Sequence, residues 1–180
     1  RTGNHGGGSW YSINGIMDYQ RTSRKNKQRM ITFSYKINTQ PQTSNSNTGY
    51  EDIHAKEEVD DLVKRLLLKN SKSDGKTNTM EQTFQVDYTT PIGELHTVEA
   101  GAKYIFRRNT SDNKLYEAAG GSDDYLYNED RSSDYRHLNH ILAAYLGYTL
   151  KYKDFTFKPG VRYEQTVQRV KYIVGPGENF

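Results

Sequence analysis

The sequence predicts an all-β fold, a curved antiparallel up-and-down sheet of about six long strands. Polar and apolar residues alternate over long runs such as Met80 to Thr89 and Val98 to Arg107, and a period of two is typical of strands. The polar turn Pro91 to Leu95 separates these two runs, which predicts a hairpin. Aromatic residues reach 12% while hydrophobic residues make up only 33%. This composition indicates half-polar strands and long polar loops rather than disorder.

The strands are expected within one domain that covers residues 1–180. Their predicted positions are about 10–20, 29–38, 80–90, 96–108, 135–150 and 155–169. In the fifth run two sets of apolar residues alternate, and we prefer the set with Leu138, Leu142 and Leu146 as the apolar face. Pro159 predicts a bulge or an unpaired position in the last strand.

The connections are predicted to alternate between short turns and long polar segments. Residues 39–78 and 110–134 are read as two long loops, and Arg1–Ser9 and Val170–Phe180 as parts of further loops. Within the first of these, Glu57 to Lys69 changes to a helical period, so a short helix-like segment is expected there.

Strand length and loop asymmetry favour a transmembrane β-barrel. Strands of soluble sheets usually have ~5–6 residues, whereas barrel strands cross an apolar band ~25 Å tall with ~9–11 tilted residues. The longest purely apolar run, Ile141 to Leu146, is far shorter than the ~20 residues of a membrane helix. A cation facing lipid near the midplane costs ~2–4 kcal/mol, which fixes the two faces of the second hairpin strand and its neighbours. The predicted lipid-facing residues are Val98, Ala100, Ala102, Tyr104 and Phe106. The predicted lumen-facing residues are Glu99, Lys103, Arg107, Arg162 and Glu164.

Several kinds of chemistry find little support in the sequence. The 25 basic and 22 acidic residues nearly balance, so no nucleic-acid partner is expected, and the absence of cysteine excludes thiolate metal sites. His137 and His140 are three residues apart on a predicted strand and would point to opposite faces. The acidic residues between Asp123 and Asp134 are better explained as a solvated loop than as a cation site. We expect no enzymatic activity, no metal and no cofactor.

Four runs resemble a known family. They are QVDYTTPI, EAGAKYIFRRN, DYRHLNHILAAYLGY and FKPGVRYEQT, and they resemble the outer-membrane β-barrel domain of TonB-dependent receptors, in the family with a carboxypeptidase-like regulatory domain. The resemblance implies a middle segment of a barrel of ~22 strands in a bacterial outer membrane. It also implies the partners of the parent protein: outer-membrane lipid, the remaining strands and plug of the barrel, and the TonB energising complex.

The implied function is import of a nutrient or metal complex, with capture by outer loops. Loops carry variable function on a rigid barrel, so Tyr116, Tyr125 and Tyr127 are our candidates for ligand contact. Two alternatives remain open at this stage. A soluble, lipocalin-like carrier predicts a closed barrel with Val98 to Tyr104 pointing inward. A barrel enzyme would need acidic and histidine groups that converge at the outer rim, and His137 near Asp134 is the one pairing the sequence offers.

Overall fold

A computed structural model describes residues 2–50, 69–119, 123–175 and 177–179. These residues form one antiparallel sheet of eight strands. The strands are β1 (Thr2–Trp10), β2 (Ile13–Thr22), β3 (Met30–Tyr50), β4 (Lys69–Ile92), β5 (His96–Ala119), β6 (Leu126–Tyr152), β7 (Phe155–Phe157) and β8 (Gly160–Val174). Both β1 and β2 pair with β3, and both β7 and β8 pair with β6. The sheet is therefore a meander of six long strands, two of them interrupted, which confirms the predicted antiparallel up-and-down fold.

Both interruptions keep a backbone hydrogen bond to the neighbouring strand. Between β1 and β2, the Tyr11 N–H donates to the Pro41 carbonyl at 3.3 Å. Between β7 and β8, Lys158 and Pro159 lie outside the strands, yet the Pro159 carbonyl accepts the Tyr148 N–H at 3.0 Å. Proline has no N–H to donate to a ladder, and the predicted irregularity at Pro159 is confirmed.

The strands extend much further than predicted, and most of the predicted long loops are wrong. β3 continues to Tyr50 and β4 begins at Lys69, with unbroken pairing from Met30–Thr89 to Thr48–Ser71. β5 likewise continues to Ala119, and β6 begins at Leu126. Alternation fails to detect these parts because both of their faces are polar. A strand pair needs backbone hydrogen bonds and not an apolar side, so Thr, Ser and Asn form strands here.

The chain ends were also predicted as loops, and this too is wrong for most of their residues. Thr2–Trp10 forms β1 against Gln42–Tyr50 of β3, and β8 continues to Val174. The predicted helix-like segment falls outside the described residues except for Lys69, which is the first residue of β4. In the described ranges no helix is long and apolar enough to cross a membrane.

The turns divide the sheet into two ends. At one end lie tight connections, including the turn after Ile92, where Gly93 has a φ of 69°, and the turn at Lys153, where φ is 52°. Gly93 adopts this left-handed conformation at no steric cost, whereas Lys153 does so at some cost. The other end of the sheet is formed by the part of the β3–β4 pair that follows Thr39 in β3 and the part of the β5–β6 pair that follows Asn109 in β5. We call these two parts the outer hairpins.

The described strands form an open sheet. Its two edges are the β1/β2 strand and the β7/β8 strand, and among residues 2–50, 69–119 and 123–175 no pairing joins them. The closed barrel that a lipocalin-like carrier requires is therefore not the fold of the described chain.

Candidate functional site

The pairing register separates the side chains into two faces. Directly opposite residues of antiparallel strands point to the same side, so each register row can be assigned to a face. One row joins Tyr35, Phe84, Tyr104 and Leu142, and the row beside it on this face joins Phe33, Val86, Ala102 and Ala144. We call this side the apolar face. The predicted lipid-facing residues Val98, Ala100, Ala102, Tyr104 and Phe106 all lie on it, as do Leu138, Leu142 and Leu146.

The opposite side, the polar face, holds all of the predicted lumen-facing residues. Lys103 shares a row with Ala143 and Glu164, and Gly101 shares one with Tyr145 and Arg162. Glu99 and Arg107 alternate with them along β5. The register therefore groups Glu99, Lys103, Arg107, Arg162 and Glu164 on one side, although they come from two strands that are not neighbours.

Exposure shows which face is covered. Ala143 on the polar face is 5% exposed, whereas the adjacent Ala144 on the apolar face is exposed. Leu142 and Leu146 are 51% and 53% exposed on the apolar face, while Asn139 on the polar face is 7% exposed. A water-soluble sheet would cover its apolar side, so this distribution requires an apolar environment outside the chain.

The apolar band has the height of a membrane interior. It runs along β5 from His96 to Phe106, about 34 Å of strand at ~3.4 Å per residue, and a tilt of ~40° reduces this to about 26 Å. A histidine–tyrosine pair marks each end: His96 Nδ1 lies 2.5 Å from the Tyr148 hydroxyl, and His140 Nδ1 lies 2.7 Å from the Tyr104 hydroxyl. Each pair satisfies two polar groups at the level where amphipathic rings are favoured.

Most charges on the polar face are paired across or along the strands. Arg107 donates to Glu81 Oε2 through Nε at 2.8 Å and Nη2 at 2.5 Å, and Arg162 donates to Glu164 at 2.6 Å. Lys158 Nζ lies 3.1 Å from Glu99 Oε2. These pairs are partly exposed, so each contributes ~0–1 kcal/mol. Among the predicted lumen-facing cations, Lys103 has no ion pair within the described ranges.

A tyrosine braces the polar face across three strands. Tyr145 of β6 lies over Gly101 of β5, where an added Cβ would sit 2.6 Å from Asp87 Oδ1 and closer still to the Tyr145 ring. The Tyr145 hydroxyl donates to Asp87 of β4, whose other carboxylate oxygen accepts the Gln85 amide at 2.7 Å. The absence of a side chain at Gly101 makes this bridge possible. Sequence reasoning missed it because the partners are 58 residues apart.

The three tyrosines predicted to contact ligand lie near the tip of the β5–β6 hairpin. Tyr116 and Tyr127 are cross-strand partners with ring centroids 5.6 Å apart. The Tyr125 ring lies 3.8 Å below the Lys72 ammonium, a cation–π contact, and its hydroxyl donates to Asn47 at 3.4 Å. Asn47, Lys72, Tyr116 and Tyr127 occupy one register row. Because Lys72 and Tyr116 alternate in phase with Met80 and Arg108, this tyrosine cluster lies on the side that continues the apolar face.

On the polar side of the β5–β6 hairpin, a buried carboxylate joins several side chains near the tip. Glu117 is 9% exposed and binds Lys69 Nζ at 3.1 Å, Asn128 Nδ2 at 2.8 Å and the Arg131 guanidinium. Hydrogen bonds from Asn128 and Lys69 hold the pKa of Glu117 below its usual range, and burial opposes them. The register shifts beside this cluster, between Asn113 and Leu115. No sequence pattern indicated Glu117, because strand pairing alone brings its partners together.

Strand alternation separates the two candidate pairings, His137 with His140 for a metal and His137 with Asp134 for catalysis. His140 shares a row with Phe106 on the apolar face, whereas His137 shares one with Asn109 on the polar face. Asp134 is on the apolar side, opposite Asp112, and therefore points away from His137. No group of three or more histidine or acidic residues within residues 2–50, 69–119 and 123–175 is arranged to hold a metal ion.

Comparison with models of protein families identifies a family for this sheet with one apolar and one polar face. Residues 20–178 match the model of the outer membrane protein beta-barrel family. The chain belongs to this outer-membrane β-barrel family. Membership places the protein in a bacterial outer membrane and agrees with the expectation that it is not an enzyme. The exposed apolar face, the long strands and the hairpin asymmetry are what such a barrel requires.

Other comparisons add less about this barrel protein. A solved structure that it resembles is the ferric citrate transporter FecA in the unliganded form, with 14% sequence identity and a TM-score of 0.41. The match covers 91% of this chain and 22% of that chain, so the chain spans about a fifth of the length of the transporter. No curated protein matches the sequence.

Proposed function

We propose that the chain is a section of the wall of a TonB-dependent receptor that imports a nutrient or metal complex. The observation that carries this proposal is a membrane-height apolar face backed by a polar face, on strands that resemble those receptors in sequence. The apolar face would contact lipid, and the polar face would line the lumen. The remaining strands and the plug would be supplied by the rest of the parent protein, and the TonB complex would energise it.

Among the five predicted lumen-facing residues, Lys103 is the best candidate for contact with the plug or the cargo. Glu99, Arg107, Arg162 and Glu164 have charged partners within the wall, which supports a structural role for them. Lys103 sits mid-wall with no such partner in the described ranges, so its charge is available to a group in the lumen.

Capture would begin at the outer hairpins. β5 runs nine residues from Phe106, opposite His140, to Leu115, opposite Asn128, so the hairpin rises about 30 Å along the strand at ~3.3 Å per residue. The tyrosine cluster is near its tip, and aromatic rings beside Lys72 suit an aromatic or carbohydrate-like ligand surface. Because the cluster continues the apolar face, it would meet cargo arriving from outside rather than cargo in transit.

Growth of a deletion strain tests the import function. The strain would be compared with its complemented parent on defined media that each supply one iron source or one carbon source. We expect at least one source whose uptake requires both this protein and an intact TonB complex. Equal growth of both strains on every source, or uptake that persists without TonB, would overturn the proposal. For the capture step, Tyr116→Ala with Tyr127→Ala should lower uptake at limiting supply more than Tyr11→Ala, a control at the β1–β2 interruption.

A further inference from the structure

Four cations lie together on the apolar face, directly above the apolar band. Arg108 and Arg169 flank Leu138 in one register row. The next row toward the outer hairpins pairs Arg136 directly with Lys171. These four residues, Arg108, Arg136, Arg169 and Lys171, form what we call the cationic patch.

The cationic patch has no anionic partner within the described chain. Arg136, Arg169 and Lys171 are exposed and Arg108 is half-buried, and the ion pairs of residues 69–119 and 123–175 engage other cations. Asp134 lies on this face two residues before Arg136 on β6, and no ion pair joins them. Asp112, opposite Asp134, is paired with Lys114 at 3.6 Å.

The arrangement is unfavourable for the chain alone. Like charges directly opposite on neighbouring strands destabilise a sheet, and Arg136 and Lys171 are such a pair. On the polar face the sequence places Glu81 opposite Arg107 and Glu164 beside Arg162. On the apolar face it places no acid within the patch. An anion from outside the chain would remove the repulsion.

The position of the cationic patch relative to the apolar band indicates which kind of anion would bind there. The row of Arg108 and Arg169 follows immediately after the row of Phe106, His140 and Val167, where the apolar band ends toward the outer hairpins. This is the level of lipid head groups in the outer leaflet. Deeper on the same face and to one side of the patch, an apolar groove of about 680 Å³ is lined mainly by side chains of β2 to β5, including Phe84 and Tyr104, with Leu142 of β6. Cations at head-group level, directly above an apolar band on the same face, match a phosphorylated lipid.

We propose that the cationic patch binds the phosphate groups of an anionic lipid in the outer leaflet, whose acyl chains lie on the apolar face beneath. Arginine suits this role because its planar guanidinium can donate two hydrogen bonds to a phosphate. The inference rests on the lipid-facing assignment of the apolar face and does not depend on the import function.

Lipid binding by the intact purified protein in neutral detergent tests the proposal. The probes are diphosphoryl lipid A and the same lipid with both phosphates removed, titrated and followed by native mass spectrometry. Each cation at an anionic lipid surface contributes a factor of about five, so we expect the phosphorylated lipid to bind at least about tenfold more tightly. The preference should shrink as salt rises.

Charge-matched variants locate the site. Changing Arg108, Arg136, Arg169 and Lys171 together to Gln should abolish the preference for the phosphorylated lipid. Changing Arg24, Lys25, Lys27 and Lys153 to Gln removes the same charge at the opposite end of the sheet and should leave it intact. Folding of each variant is checked by its thermal transition in detergent.

Three outcomes would overturn the proposal. They are equal binding of the two lipids by the wild type, a preference that survives in the patch variant, and displacement of the lipid by millimolar inorganic phosphate alone. The last would show a site for free anions. If lipid binding fails while TonB-dependent uptake is intact, only the lipid site is overturned and the import function is retained. If lipid binds as expected while uptake does not depend on TonB, only the import function is overturned.

Discussion

At the scale of single residues, the faces of the sheet depend on contacts that only register creates. Gly101 illustrates this, because a glycine in a strand interior is usually a weakness, yet here it makes room for the Tyr145 ring and its hydrogen bond to Asp87. An aromatic ring covering a glycine on the next strand also shields the exposed backbone, a device that pins register.

Gly101→Ala should therefore destabilise the protein by ~1–3 kcal/mol, the usual cost of overpacking. The measurement is the free energy of unfolding in urea with lipid vesicles. Gly147→Ala is the matched control, since a Cβ there meets nothing closer than 3.6 Å. In a Tyr145→Ala background the cost of Gly101→Ala should fall, because the clash with the ring is gone and only the contact with Asp87 Oδ1 remains. An unchanged cost in that background would contradict the bridge.

Glu117 makes the tip of the β5–β6 hairpin sensitive to pH. Hydrogen bonds from Asn128 and Lys69 lower its pKa in the folded state from the usual 4.5. A group whose pKa is lower in the folded state stabilises that state above its unfolded pKa, and the contribution is lost as the pH falls through the folded pKa. The tip should thus be stable at neutral pH and should lose stability progressively as the pH falls below 4.5 and through the lowered pKa of Glu117.

Amide hydrogen exchange at Leu115 and Asn128, corrected for intrinsic rates, measures this opening. We expect protection to drop on acidification in the wild type. Glu117→Gln should be less protected at neutral pH and should respond little to acid. Glu129→Gln, at an exposed carboxyl group in the same hairpin, should behave as the wild type. A full acid response in Glu117→Gln would assign the effect to another group.

At the scale of elements, alternation predicted the membrane-height parts of the strands and failed beyond them. Within the band, one face must be apolar and the other polar, so the residue type predicts the face of each side chain, as for Phe84 and Gln85. In the outer hairpins both faces of β4 contact water. Apolar and polar residues therefore do not alternate there, as Lys72, Ser73 and Asp74 show. The Glu117 cluster and the tyrosine cluster could not be assembled from sequence for the same reason, since their contacts depend on pairing in the part without a pattern.

Adjacent residues of β6 provide the test of sidedness at this scale. Leu142 lies on the apolar face and Ile141 on the polar face, opposite Tyr104 and Ile105 in the half of the band nearer the outer hairpins. Leu142→Arg should cost ~1–3 kcal/mol, between the ~2–4 kcal/mol for a cation against lipid at the midplane and the ~0–1 kcal/mol near the interface. Ile141→Arg should cost clearly less because its side chain would reach the wetted lumen. Unfolding free energies in lipid vesicles compare the two, and equal costs would argue against two distinct environments.

At the scale of the whole molecule, the described chain is an open sheet whose two edges, β1/β2 and β7/β8, have unpaired backbone groups on their outer sides. Such groups cannot stay unpaired in a bilayer. The wall is therefore complete only when further strands pair with both edges, which agrees with a segment of a larger barrel. Sequence alone predicted this from the number of strands, because about six strands fall below the ~8 of the smallest natural barrels.

We propose that the apolar face of this wall contacts lipid while the polar face contacts water. The chain has no cysteine, so single thiols can be introduced along β5 from Val98 to Arg107 and spin-labelled in the intact protein in lipid vesicles. Accessibility to oxygen, which partitions into lipid, and to a water-soluble nickel chelate is then measured at each position. We predict a period of two, with oxygen accessibility high at 98, 100, 102, 104 and 106 and the chelate favoured at the positions between them. A period with the opposite phase, or no period at all, would contradict the account.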